Sequence, residues 1–348
     1  MTLSLARFFL MLTLAAIAAT VLADPLREAD EALGKRDAAG AIRILEQASN
    51  AGNTAAKGRL ASYLRTFPPP YGNVEQGCSL AHEASDAGDA VGSATRADCL
   101  VAGTEKADQP FKLARALARK ALDSGFAPAG LSLYQAFVLD PQYRLQSGNF
   151  GMEKYNALAA MPISARGDQI DAFEGLTDAV RSGHINSVIM AMAYLMESSA
   201  PGNIDRVLGL ASALQKSGQT IPQRMQPTLG LAQDIKRLGT THASVTAFGN
   251  AYKPAFLAAT LHIRGLGESS CDVKEIKLVQ VAAGPVDNAE YLPISKAPLA
   301  STYLVRGNWN ETWTFAGCQK SAPIDMAFSA DGWSGAKFTT TQTPGKPK

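Results

Sequence analysis

Few residues in this chain have the types and spacing that chemistry needs. Ser334-Gly335-Ala336-Lys337 carries the Ser-x-x-Lys spacing that, on a helix, sets a lysine ammonium beside a serine hydroxyl and makes it a nucleophile. Here glycines flank the string, which predicts a turn, and the companion motifs of such a site are not recognisable. Asp168 and Asp171 stand at i, i+3, the spacing of a solvated helix face as much as of an acid pair. His82, His184, His242 and His262 are scattered, and none lies four residues from another His or Cys, so a zinc site is not expected. No phosphate-binding glycine loop, nucleophile elbow or His-Glu-x-x-His string occurs. The expectation is a protein that is not an enzyme and uses no cofactor and no metal.

The chain begins like an export signal. Met1 to Arg7 carries one positive charge, Phe8 to Leu22 is largely apolar, and Val21-Leu22-Ala23 precedes Asp24-Pro25. The apolar run is shorter than the roughly 20 residues that span a bilayer. Cleavage between Ala23 and Asp24 is therefore expected, with no integral membrane segment afterwards; a retained N-terminal anchor is the alternative. The destination read from this pattern is the periplasm, with secretion as the other route. The formal charge of +2 falls by one with loss of Arg7, so no global field draws nucleic acid. Lys112, Arg115, Arg119 and Lys120 form a basic stripe at helical spacing, which a solvated helix face explains.

From residue 24 to about 239, apolar residues recur at three- and four-residue steps among many alanines, predicting short amphipathic helices. Gly52, Gly88 and Gly125 end similar strings 36 and 37 residues apart, and Gly183 and Gly218 add a 35-residue step. A period of this size signals helix-pair repeats, each glycine taking the left-handed conformation that closes one helix. Stacked hairpins forming a mostly α solenoid are expected, with an irregular bundle as the alternative. The 58 residues from Gly125 to Gly183, with Pro141, Gly148 and Pro162, exceed one unit and leave the repeat number there open.

The cysteines fit this frame. Four in an exported chain read as two disulfides. Cys78 and Cys99 lie 10 residues before and 11 after Gly88, opposite one another if the chain folds back there, although two buried free thiols are the alternative. Cys271 and Cys318 are left to pair within the C-terminal part.

Gly249-Asn250-Ala251, Leu257-Ala258 and Leu261 to Gly267 resemble the first helix and Gly-x-Gly loop of the Sel-one-like repeats, relatives of tetratricopeptide repeats; Ala56 to Tyr63, Tyr71 to Val74 and Ala81 to Gly88 resemble a full unit. Phe67-Pro68-Pro69-Pro70 departs from the Gly-x-Gly pattern. The resemblance implies an assembly scaffold, and hairpin-internal disulfides occur in secreted members. Some of those are linked to penicillin binding or hydrolysis, so a cell-envelope enzyme or cell-wall-ligand binder is the second functional class implied.

After about residue 269 the Ala-rich pattern gives way to β-branched, aromatic and turn residues. Glu275 to Val281, parts of Ser301 to Arg306 and of Asn310 to Phe315, Pro323 to Phe328 and Ala336 to Thr341 predict strands of a small disulfide-bridged β-meander. Arg306 to Cys318 resembles a segment of small exported proteobacterial proteins of unknown function. Trp309 and Trp313 fall on one strand face, where core is favoured over a binding surface. Asn310-Glu311-Thr312 fits a glycosylation acceptor but sits inside a strand.

The organisation expected is therefore a leader at 1–23, a helical solenoid at 24–268, a β module at 269–342 and a disordered tail at 343–348. The expected function is an interaction scaffold that binds an envelope protein or peptide on the solenoid's concave face. Arg59, Tyr63, Tyr134 and Tyr194 are the candidates for that face. Tyr63 and Tyr194 both fall 11 residues after a turn glycine and Tyr134 two residues out of step, with packing between helices as the other explanation for all three tyrosines.

Overall fold

The computed structural model describes residues 24–143, 161–265 and 271–341. The expected leader 1–23 lies outside the described residues, as do Gly148, Leu266, Gly267 and the tail 343–348. Packing divides the chain into two compact units between Phe126 and Ala127.

The first unit is built of α1 (Pro25–Gly34), α2 (Ala38–Asn50), α3 (Thr54–Thr66), α4 (Val74–Asp86), α5 (Ala90–Val101) and α6 (Pro110–Asp123). Each packs on the next in sequence. Short polar side chains start the helices: Asp37 accepts from Gly40 N–H at 2.8 Å, Asn53 from Ala56 at 3.0 Å and Asn73 from Gln76 at 3.1 Å. Each such cap contributes about 1 kcal/mol. The expected stops are also in place. Gly88 sits at φ 89°, and beyond it Asp89 N–H reaches the Ala84 carbonyl at 2.9 Å, closing α4 so that α5 can fold back. Gly52, Gly125, Gly183 and Gly218 share this conformation. Alanines at 81, 84, 97, 114, 118 and 121 are fully buried, letting the helices approach closely. The Cys78–Cys99 disulfide joins α4 to α5 with Cα atoms 5.8 Å apart.

The second unit holds α7 (Ala129–Val138), α8 (Gly167–Arg181), α9 (Ile185–Glu197), α10 (Asn203–Lys216), α11 (Gln226–Leu238) and α12 (Val245–Gly265). An antiparallel sheet follows: β1 (Lys277–Ala283), β2 (Asp287–Tyr291), β3 (Leu304–Gly317), β4 (Lys320–Ala330) and β5 (Ala336–Thr341). β1 and β2 both pair with β3, β3 pairs with β4, and β4 with β5. The two short strands expected around residues 301–306 and 310–315 are one long β3; Gly307, which separates them, takes φ 149° and the strand runs through it. β2 is unexpected, because Asp287-Asn288-Ala289-Glu290 has no apolar alternation. Pairing with β3 imposes it, aided by a 3.3 Å Arg306–Glu290 ion pair. Cys318 and Gln319 turn β3 into β4, both at positive φ as a primed hairpin turn requires, and Cys318 is bridged to Cys271.

One hydrophobic core runs through this unit from Tyr134 in α7 to Phe328 in β4. The change near residue 269 is thus a change of secondary structure within a shared core: α12 packs on β3, β4 and β5.

Candidate interaction cleft

Two of the four residues expected on a binding face are buried. Tyr134 is 7% exposed and meets Phe173 edge-on, and Tyr194 is 8% exposed between Phe173 and Tyr303. The Tyr194 hydroxyl is 3.2 Å from Ser198 Oγ and 3.3 Å from Thr302 Oγ1, and burial pushes its pKa up to about 12. Both residues are core, which corrects that expectation. Their helix faces turn toward α8 and the segment leading into β3 instead of toward solvent. Tyr63 and Arg59 do stay half-buried at the surface of α3, where they close on Asp30 of α1. The Tyr63 hydroxyl donates to Asp30 at 3.0 Å, Arg59 pairs with the same carboxylate at 3.1 Å, and Tyr63 stacks on Phe67. This triad ties α1 to α3 through the Tyr63 hydroxyl and Nη1 of Arg59.

An acid–base cluster also lies in the first unit, at a depression between α4 and the segment that follows α5. His82 Nδ1 is 3.1 Å from Glu105 and its Nε2 is 3.3 Å from Asp86, while Arg96 holds both carboxylates at 2.9 Å. Each ring nitrogen of His82 thus lies within hydrogen-bond distance of a carboxylate. Ser334 and Lys337 form no nucleophile pair on a helix: the Ser334 carbonyl accepts from Ser199 N–H at 2.5 Å in a turn braced by Asp331, and Lys337 lies in β5. Among the described residues no group of three or more His, Cys, Asp or Glu is placed to hold a metal ion, and no helix is long and apolar enough to cross a membrane.

An apolar opening lies in the second unit, where α11, α12 and β1 meet around a cleft of about 570 Å³. Leu231, Ile235 and Leu238 come from α11, Phe248, Gly249 and Tyr252 from α12, and Lys277 and Leu278 from β1. Leu231 and Tyr252 are each 38% exposed. Asp234 and Arg237 at the rim pair with each other.

A buried carboxylate fixes the walls. Glu311 of β3, 1% exposed, accepts from Trp309 Nε1 and Trp313 Nε1 at 2.9 Å each, one indole per oxygen. It also accepts from Thr241 Oγ1 at 2.8 Å and His242 N–H at 2.9 Å, in the loop between α11 and α12. That loop is further held where Thr240 N–H donates to the Val281 carbonyl of β1 at 3.0 Å. Phe248 stacks on Trp313 with ring centroids 4.3 Å apart. The sheet therefore sets the angle at which α11 and α12 diverge. Family models, curated proteins and solved structures give no match to the chain.

None of these cleft residues stood out as functional in the sequence. Leu231, Ile235 and Leu238 recur at i, i+4 and i+7, the pattern of an ordinary buried stripe. Only the position of β1, decided by long-range pairing, leaves their outer end open.

Proposed function

We propose that the chain is an exported, non-catalytic interaction protein and that a protein segment docks in the cleft between α11, α12 and β1. One observation carries this reading: Leu231 and Tyr252, each 38% exposed, form the open apolar mouth of a cleft walled by two helices and a strand. The leader pattern and the two disulfides support export to an oxidising compartment, the periplasm. The stacked hairpins agree with the resemblance to Sel-one-like repeats, which implies assembly work. The strand setting of Lys337 weighs against the enzymatic alternative.

Site-specific photocrosslinking tests this in the native envelope. Benzoylphenylalanine in place of Leu231 or Tyr252 is expected to capture one defined protein, and the same probe in place of exposed Lys35 in the first unit is not. Adducts from Lys35 alone, or none from the cleft positions, overturn the reading.

A further inference from the structure

Resting on that reading of the cleft, we propose that its occupant is an extended segment that adds alongside β1, seats apolar side chains between α11 and α12 and places a carboxylate on Lys277. Three observations converge on this chemistry.

The first is an open strand edge. β1 pairs with β3 on one side only. On its other side, Val281 is engaged by Gly239 and Thr240, and Ala283 N–H by Thr240 Oγ1 at 3.3 Å. Ahead of those contacts, Lys277 to Gln280, bulged against β3 at Val279, have no second strand among the described residues, and Lys277 and Leu278 line the cleft. Unpaired backbone beside a groove is what an added strand uses for affinity.

The second is the lining. An extended chain turns alternate side chains to one face, about 7 Å apart. Leu231, Leu238, Phe248 and Tyr252 offer such side chains apolar walls, and Gly249 adds no bulk, its nearest neighbour standing 4.0 Å from where a Cβ would lie.

The third is charge. Asp234 and Arg237 neutralise one another, and Lys277 is the one charge of the lining with no ion-pair partner among the described residues. A carboxylate on the occupant would complete it. A lysine on an edge strand also guards against self-association, and the test separates that role.

The test uses fluorescence anisotropy of the full mature chain with a short labelled peptide that alternates valine or leucine with threonine around one glutamate. A lysine-for-glutamate counterpart and a version N-methylated at alternate backbone nitrogens complete the set. The glutamate peptide is expected to bind about tenfold more tightly than the lysine peptide, an order that Lys277→Glu reverses. N-methylation is expected to abolish binding, as is Leu231→Glu.

Equal binding of the parent and N-methylated peptides overturns strand addition. An unchanged order in Lys277→Glu, with more self-association, assigns Lys277 to edge protection and overturns the charge assignment. If no peptide binds, or if oleate displaces the peptide and binds more tightly, the inference fails. Crosslinks from Leu231 and Tyr252 would still stand in those cases, whereas loss of the crosslinks removes the docking reading as well.

Discussion

Glu311 Oε2 lies 2.9 Å from the indole nitrogen of Trp313, two residues along the same strand and on the same face of the sheet. The other oxygen takes Trp309 in the same way. A carboxylate in an aromatic core would be costly alone, but here both oxygens accept from N–H and O–H donors that would themselves be buried without it. The charge thereby locks the α11–α12 loop to β3.

Glu311→Gln is accordingly expected to destabilise the second unit by about 3 kcal/mol, because an amide nitrogen must then face one of the indole or backbone donors. Urea unfolding monitored by tryptophan fluorescence measures it. A loss under about 1 kcal/mol would mean the donors find other partners.

The disulfides should act on separate units. Cys78→Ser with Cys99→Ser is expected to lower the stability of the first unit by about 3 kcal/mol, and loss of Cys271–Cys318 that of the second by about 4 kcal/mol, in the chain-entropy account. Hydrogen exchange by mass spectrometry resolves the two. Equal loss of protection in both units after either change would show that they unfold together.

Alkaline pH should unfold the second unit early. Tyr194 is held to about pKa 12 by burial against an ordinary value of 10.0, and burial also raises Tyr134 and Tyr303. The folded state keeps these protons while the unfolded chain releases them. Their contribution is complete below pH 10 and is lost as pH rises from there through about 12 for Tyr194. Denaturant midpoints between pH 9 and 12 should fall more gently in Tyr194→Phe than in the parent. An equal slope would remove Tyr194 from the alkaline transition.

Much of this fold is legible from residue spacing, because the decisive interactions are local. The turn glycines 52, 88, 125, 183 and 218 mark helix ends through a backbone conformation that each dictates by itself. The parity of Trp309 and Trp313 places both in the core, where each is at most 1% exposed. Glu311 shares that parity, yet its type argues for solvent, and its burial draws on donors some 70 residues upstream as well as on the two neighbouring indoles. Tyr63 and Tyr194 share a repeat offset but meet different neighbours: Phe67 and Asp30 near the surface, Tyr303 and Thr302 in the core. The cleft depends on where β1 pairs, far along the chain from α11, and no spacing within either element records it.

Gly130 and Gly209 look alike in sequence, both inside helices. A Cβ on Gly130 of α7 would lie 1.8 Å from the Gly175 carbonyl oxygen of α8, so the helices could keep their contact only by moving apart. Nothing lies within 4 Å of the corresponding point on Gly209 of α10. Gly130→Ala should therefore cost about 2 kcal/mol or more through overpacking of backbone that cannot yield locally. Gly209→Ala should stabilise by about 0.5–1 kcal/mol by removing unfolded-chain freedom at a helical position. Thermal melts of the two variants, run beside the parent, should move in opposite directions. If Gly130→Ala melts with the parent, α7 and α8 do not make the close crossing on which the core around Tyr134 and Phe173 depends.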